Sequence, residues 1–303
     1  MSTGPAGHTA RSMVRPHSET PGRVPVRTFL GTVDGVTIEA VYEPGPAVYD
    51  SGRPPSGDPV FVVAHGFTGD AARPHVRRVA ETFARYGAVV TFSFRGHGAS
   101  GGRSTVGDLE VLDLAAAVAW ARGMGHERVI TVGFSMGGSV VLRHAALYGK
   151  HRPQDGFGGA RPTQPADAER AAAAATDAVV SVSSPARWYY RGTAPMRRLH
   201  WLVTRPTGRL VGRYGFRVRI HHRDWDPVPL SPAESAALIA PVPLLVVHGD
   251  RDGYFPLDHP RMLAAAAGDD AELWVEPGMG HAENASDEAL LRRIADWAVR
   301  RAG

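Results

Sequence analysis

RVITVGFSMGGSVVLRHAALY, residues 128–148, carries the pattern from which the rest of the chain can be read. A β-branched apolar run at 129–132 leads into Gly133-Phe134-Ser135-Met136-Gly137, and over 136–148 the apolar residues return at three- and four-residue spacing. The run predicts a strand and the spacing predicts a helix, so a serine flanked by glycines falls on the turn between them. In that context a G-x-S-x-G sequence forms a sharp turn that holds the serine hydroxyl clear of both elements. Glycine at 133 and 137 leaves room for the neighbouring backbone. The hydroxyl then lies at a helix N-terminus, where the dipole favours developing negative charge. Ser135 is therefore the expected nucleophile.

Working outward, continuous apolar runs of strand length occur at 60–64, 88–94, 128–133, 178–183, 244–248 and 272–276. Such runs imply strands covered on both faces. Helical spacing occupies 71–86, 108–122, 136–148, 257–267 and 286–301, and this alternation predicts a mainly parallel sheet with helices on both faces. Upstream, 24–30 and 36–42 flank Asp34-Gly35 and read as a hairpin, which brings the sheet to roughly eight strands. In sheets of this kind the chemistry lies beyond the carboxyl ends of the strands.

Two segments break the alternation. Residues 150–176 are polar, Gly/Pro-rich and then alanine-rich, and read as a surface insertion; residues 185–240 are basic and aromatic, and read as a lid after the sixth strand. Residues 1–23 mix Gly, Pro, Ser, Thr and Arg and are expected to be a disordered tail ahead of one domain spanning 24–303. Neither a secretory signal nor a bilayer-length apolar run is present, so a cytoplasmic location is expected. With no cysteine, disulfides, thiolate zinc sites and a cysteine nucleophile are excluded. Net charge is +4, yet 184–223 contains ten arginines and no acid, so the basic balance belongs to one segment and argues against nucleic acid as a partner.

A serine hydroxyl needs a base to take its proton, and the base needs an acid to orient it. Pro277-Gly278-Met279-Gly280-His281 follows the last expected strand, and this loop makes His281 the candidate base. For the acid, His248-Gly249-Asp250-Arg251-Asp252-Gly253 follows the strand at 244–248 and offers two carboxylates, Asp250 and Asp252. The N–H of Met136, next after the nucleophile, is placed to stabilise an oxyanion.

Taken together, His65-Gly66-Phe67, Phe94-Arg95-Gly96-His97-Gly98, Gly133 to Gly138, His248 to Pro256 and Gly280-His281 resemble the landmarks of α/β-hydrolase-fold serine hydrolases, in their order. The resemblance implies that Asp252 is the acid and Asp250 structural, and that the Phe67 N–H is the second oxyanion donor. Relatives that keep the acid after the sixth strand have no counterpart here, since Ser183-Ser184-Pro185 offers no carboxylate. His65, Arg95 and His97 are expected to shape the site.

The expected activity is hydrolysis of carboxylic esters through an acyl-enzyme on Ser135, with no cofactor and no metal. Trp188, Tyr189 and Trp201 are the expected substrate-binding aromatics of the lid. The partner is a small acyl ester, and the arginines allow it an anionic group or contact with an anionic membrane surface. The alternatives are a thioesterase or acyltransferase on the same triad, and a ligand-binding protein without turnover.

Overall fold

The computed structural model describes residues 24–46, 57–149 and 172–303. The tail at 1–23 and most of the 150–176 insertion lie outside these residues. Where the sequence alternates around Asp34-Gly35, strands β1 (Val26–Gly31) and β2 (Thr37–Glu43) form an antiparallel hairpin. The continuous apolar runs become β3 (Pro59–Ala64), β4 (Ala88–Phe92), β5 (Arg128–Phe134), β6 (Ala178–Val182), β7 (Leu244–Gly249) and β8 (Ala271–Glu276). Every residue of β3, β4, β6 and β7 is buried, as double-sided coverage requires. The eight strands lie in the order β1-β2-β4-β3-β5-β6-β7-β8, and from β4 through β8 all pairings are parallel.

Alternate residues of one strand feed opposite cores. Val60, Val62 and Ala64 of β3 pack with Leu114 and Leu142, under helices α2 (Glu110–Gly123) and α3 (Met136–Tyr148). Phe61 and Val63 pack with Phe83 and Ile294, under α1 (Pro74–Phe83) and the C-terminal helix (Glu288–Arg301). Helices therefore cover both faces. Pro74 sits in the first turn of α1 and delays its start relative to the expected 71, because proline suits that turn and disfavours helix in the residue before it.

Between β6 and β7 the basic segment forms α4 (Ala194–Thr204), α5 (Pro206–Val211), a π-helical turn (Gly212–Phe216) and α6 (Pro232–Ala236). A capping box between Ser231 and Glu234 starts α6. The stretch around Arg219 is stitched to the loop after β4: the Arg219 amide donates to the Gly96 carbonyl (2.9 Å), and the Ser104 amide donates to the Arg219 carbonyl (2.7 Å). Helix α7 (Asp258–Ala267) follows β7. The helix expected at 286–301 is α9 (Glu288–Arg301), started by the Asp287 side chain, which accepts the Leu290 amide, and a short helix not expected from the sequence, α8 (Ala282–Ala285), precedes it. No helix among the described residues is long and apolar enough to cross a membrane.

Buried His144 is expected to contribute acid sensitivity to the fold. His144 of α3 stacks on Tyr148 at 4.9 Å, is fully buried, and neither ring nitrogen meets a partner among the described residues. Burial pushes its pKa from 6.5 down to about 3. The folded state thus keeps it neutral, while the unfolded chain binds a proton below 6.5, so its contribution is complete above 6.5 and is lost as pH falls towards 3. The loss amounts to about 1.4 kcal/mol per pH unit in that window. His144→Leu is expected to flatten the fall in Tm between pH 6.5 and 4 relative to the parent; parallel Tm curves would contradict this account.

Candidate active site

The turn from β5 into α3 places Ser135 at φ 51°, ψ −112°, a positive φ that a side chain accepts only when its surroundings enforce it. The Ser135 amide is tied to the Val182 carbonyl of β6 at 2.9 Å. A Cβ at Gly133 would strike the Gly137 carbonyl, and one at Gly137 would strike the Ala64 carbonyl, so the close approach of α3 to β3 and β5 depends on both glycines.

His281 stands just before α8, at the carboxyl end of β8. Its Nε2 is 2.9 Å from Ser135 Oγ, and its Nδ1 is 2.8 Å from Asp252 Oδ2. These three residues, 146 and 29 positions apart along the chain, form one hydrogen-bonded row. The ring is held from several sides. Tyr254 stacks on it with centroids 4.1 Å apart and planes 21° apart, and the next amide, that of Ala282, donates to Ser183 Oγ at 3.0 Å. Ser183 thus occupies the place after β6 where some relatives keep an acid, and it anchors the histidine loop instead.

The Asp252 carboxylate is fully buried, and its Oδ1 accepts the Tyr254 and Phe255 amides at 2.8 and 3.1 Å. Burial on its own would raise its pKa, but the His281 hydrogen bond and charge, together with those two amides, outweigh burial and hold the carboxyl below its usual range. Asp250 turns elsewhere: its Oδ1 accepts the Gly278 amide at 2.6 Å and ties the β7 loop to the β8 loop.

Phe67 and Met136 line the same cavity as Ser135 with their side chains buried, and neither of their backbone N–H groups has a partner among the described residues. The Phe67 carbonyl, by contrast, accepts from His97 Nε2 at 2.6 Å. Arg95 is buried between Asp113 and Asp34, with guanidinium contacts of 2.8 and 2.7 Å, and this pins the loop that carries His97. His65 bridges Gly66 and Phe94. None of these three side chains faces the hydroxyl of Ser135 as a reacting partner.

A cavity of about 460 Å³ opens over Ser135, Phe67 and Met136, within the usual range for small-molecule sites. The β6–β7 insertion supplies much of its wall. Trp188 and Tyr189 line it, and the Trp188 indole N–H is fixed by the Pro229 and Leu230 carbonyls at 3.0 and 3.1 Å. Trp201 does not line it and is 46% exposed, which corrects the expectation for that residue. The reason is helical phase. Met196, Leu199, His200 and Val203 of α4 face the cavity at i, i+3, i+4 and i+7, and Trp201 falls on the opposite side. The same i, i+3, i+4, i+7 spacing stands in the sequence and is the signal that identifies the cavity-facing side of α4. Arg191 and Arg223 also border the cavity, as does Asp224. Among the described residues no group of three or more acidic or histidine side chains is arranged to hold a metal ion.

A family model described as the Alpha/beta hydrolase family matches residues 61–293. Monoacylglycerol lipase from Mycolicibacterium smegmatis (strain ATCC 700084 / mc(2)155) is 30% identical over 274 residues, spanning 83% of this chain and 92% of the relative. Among solved structures, Pyrococcus furiosus esterase Pf2001 superposes with a TM-score of 0.64 at 22% identity, covering 93% of this chain and 94% of that one. The alpha/beta hydrolase GrgF from Penicillium sp. sh18 gives 0.63 at 17% identity, covering 92% and 99%. At such identities the two structures speak to the fold alone. Family match, strand order and lipase relative agree, and the chain belongs to the alpha/beta hydrolase family of enzymes.

Proposed function

We propose that this protein is a serine hydrolase that cleaves carboxylic esters through an acyl-enzyme on Ser135. The observation that carries the reading is the row Ser135–His281–Asp252, with contacts of 2.9 and 2.8 Å, opening on the cavity. His281 Nε2 accepts the Ser135 proton as Oγ attacks the acyl carbon, and Asp252 fixes the tautomer and stabilises the imidazolium. The oxyanion is received by the Phe67 and Met136 N–H groups, each worth roughly 3 to 4 kcal/mol. The imidazolium then protonates the leaving alcohol. Water, deprotonated by the same nitrogen, releases the acid and restores Ser135.

Leu199, Val203 and Met196 form an apolar wall suited to an acyl chain, and the monoacylglycerol lipase relative is consistent with a monoester of a small alcohol as substrate. The insertion at 185–240 acts in this reading as a cap over the acyl site. Arg191 and Arg223 at the cavity edge favour a second substrate class, an acyl group or thioester with an anionic portion.

A panel of p-nitrophenyl esters and glycerol monoesters graded by acyl length, run beside acyl-CoA at low and high salt, tests both. Ester turnover that rises with apolar chain length and ignores salt is the expected outcome. Salt-sensitive CoA turnover that exceeds ester turnover would favour the anionic class. Saturable ester binding with negligible hydrolysis would reject both.

A further inference from the structure

Glu283 is a buried carboxylate that the reaction above does not use. It lies two residues beyond His281, only 3% exposed, on α8. A buried charge is costly unless it is well partnered. Its partner is the Gly66 amide, which donates to Oε1 at 3.0 Å across 217 residues of sequence; His75 Nε2 is 3.8 Å from the same oxygen.

Gly66 immediately precedes Phe67, and the peptide groups around the free Phe67 N–H are each tied down. The Gly66 carbonyl, in the same peptide plane as that N–H, accepts from His65 Nδ1 (2.6 Å) and the Gly69 amide (2.9 Å). The Phe67 carbonyl accepts from His97. These ties come from the loop itself and from the loop after β4. Of these ties among the described residues, the one at the Gly66 amide reaches the stretch that carries the histidine. That stretch is itself anchored, since Ser183 Oγ holds the Ala282 amide and Arg78 donates to the Glu283 and Ser286 carbonyls at 2.6 and 2.9 Å.

We propose that Glu283 is a positioning residue: its carboxylate locks the loop bearing the Phe67 N–H to the loop bearing His281, so that oxyanion donor and base keep one register about Ser135. The inference rests on the reading of Ser135 as nucleophile and of the Phe67 N–H as an oxyanion donor. A hydrogen bond from a backbone N–H to a buried side-chain oxygen suits the task because it is directional and is not exposed to competition from water. Misplacement of a catalytic group by about 1 Å costs on the order of 100-fold in rate.

The test compares Glu283→Ala, Glu283→Gln and Glu283→Asp with the parent enzyme and with Ser135→Ala. Alanine removes the acceptor, and kcat is expected to fall roughly 10- to 100-fold with KM changed by less than about threefold. Glutamine keeps an oxygen at the same reach and is expected to hold kcat within about fivefold of the parent. Aspartate keeps the charge but is one methylene short, so it should behave like alanine. A trifluoromethyl ketone, whose Ser135 hemiketal places an oxyanion between the two amides, should lose affinity in proportion to kcat. A residue that merely supports the fold would lower Tm without this pattern.

Parental kcat and ketone affinity in folded Glu283→Ala would overturn the inference, as would equal losses in the glutamine and alanine variants. If Glu283→Ala does not fold, the glutamine–aspartate pair decides it alone, and equal activity of those two would overturn it. An active Ser135→Ala protein would instead remove the underlying catalytic reading.

Discussion

Ser135→Ala is expected to lower kcat by about six orders of magnitude while Tm stays near that of the parent. The hydroxyl is the proposed nucleophile of the row, and its loss leaves His281 with no Ser135 proton to accept. What remains is the cavity and two amide donors, which together sustain a residual roughly 10³- to 10⁴-fold above water. Stability should change little, because the β5–α3 turn is held by backbone: the Ser135 amide bonds to Val182, and its carbonyl accepts the Ser139 amide at 3.2 Å. Alanine at φ 51° keeps the strain that serine already bears. Fluorophosphonate labelling provides an independent check, since the parent should take up one equivalent and the variant none. A variant that still turns over esters, or still labels, would refute the assignment of Ser135.

Asp252→Asn is the second large effect, a fall in kcat of about four orders of magnitude with the site geometry preserved. Asparagine matches the shape of the side chain, and its carbonyl oxygen can still accept the Tyr254 and Phe255 amides now held by Oδ1 at 2.8 and 3.1 Å. Its NH₂ group then faces His281 Nδ1, which must give up its proton to accept. The proton moves to Nε2, and the imidazole presents a donor to Ser135 in place of an acceptor. Asp250→Asn separates this from a general effect of charge. The Asp250 side chain accepts from the Gly278 amide and does not meet His281, so its variant should retain activity within about tenfold of the parent. If the two asparagine variants lose activity equally, Asp252 has no special place in the row.

The parts of the fold that could be read from sequence are those set by local pattern. Continuous apolar runs marked the doubly covered strands β3, β4, β6 and β7, but the run at 272–276, read the same way, is the edge strand β8 and only partly buried; the glycines at 133 and 137 marked a turn in which two backbones nearly touch. His281 was legible because it follows a strand on a glycine-rich loop. The choice between Asp250 and Asp252 was not, because both follow β7 and only the direction of each side chain separates them: one turns to Gly278 and the other to His281. Resemblance was needed for that step. Trp201 was misplaced for a different reason. Residue type suggested binding, whereas helical phase turned Leu199 and Val203 inward. The Gly66–Glu283 contact joins positions 217 residues apart, and no periodicity or spacing along the chain announces it.

The room above Ser135 and the hydrogen-bonded row that includes Ser135 belong to different parts of the architecture. Strand ends hold Ser135, Asp252 and His281, whereas α4 supplies Met196, Leu199 and Val203 from a segment spliced between β6 and β7. Changes at those α4 positions resize the chamber without touching either contact of the row. On the proposed mechanism, selection can therefore retune which molecules fit while the row stays as it is, and a designer wishing to redirect this protein has a helix to rewrite and a sheet to leave alone.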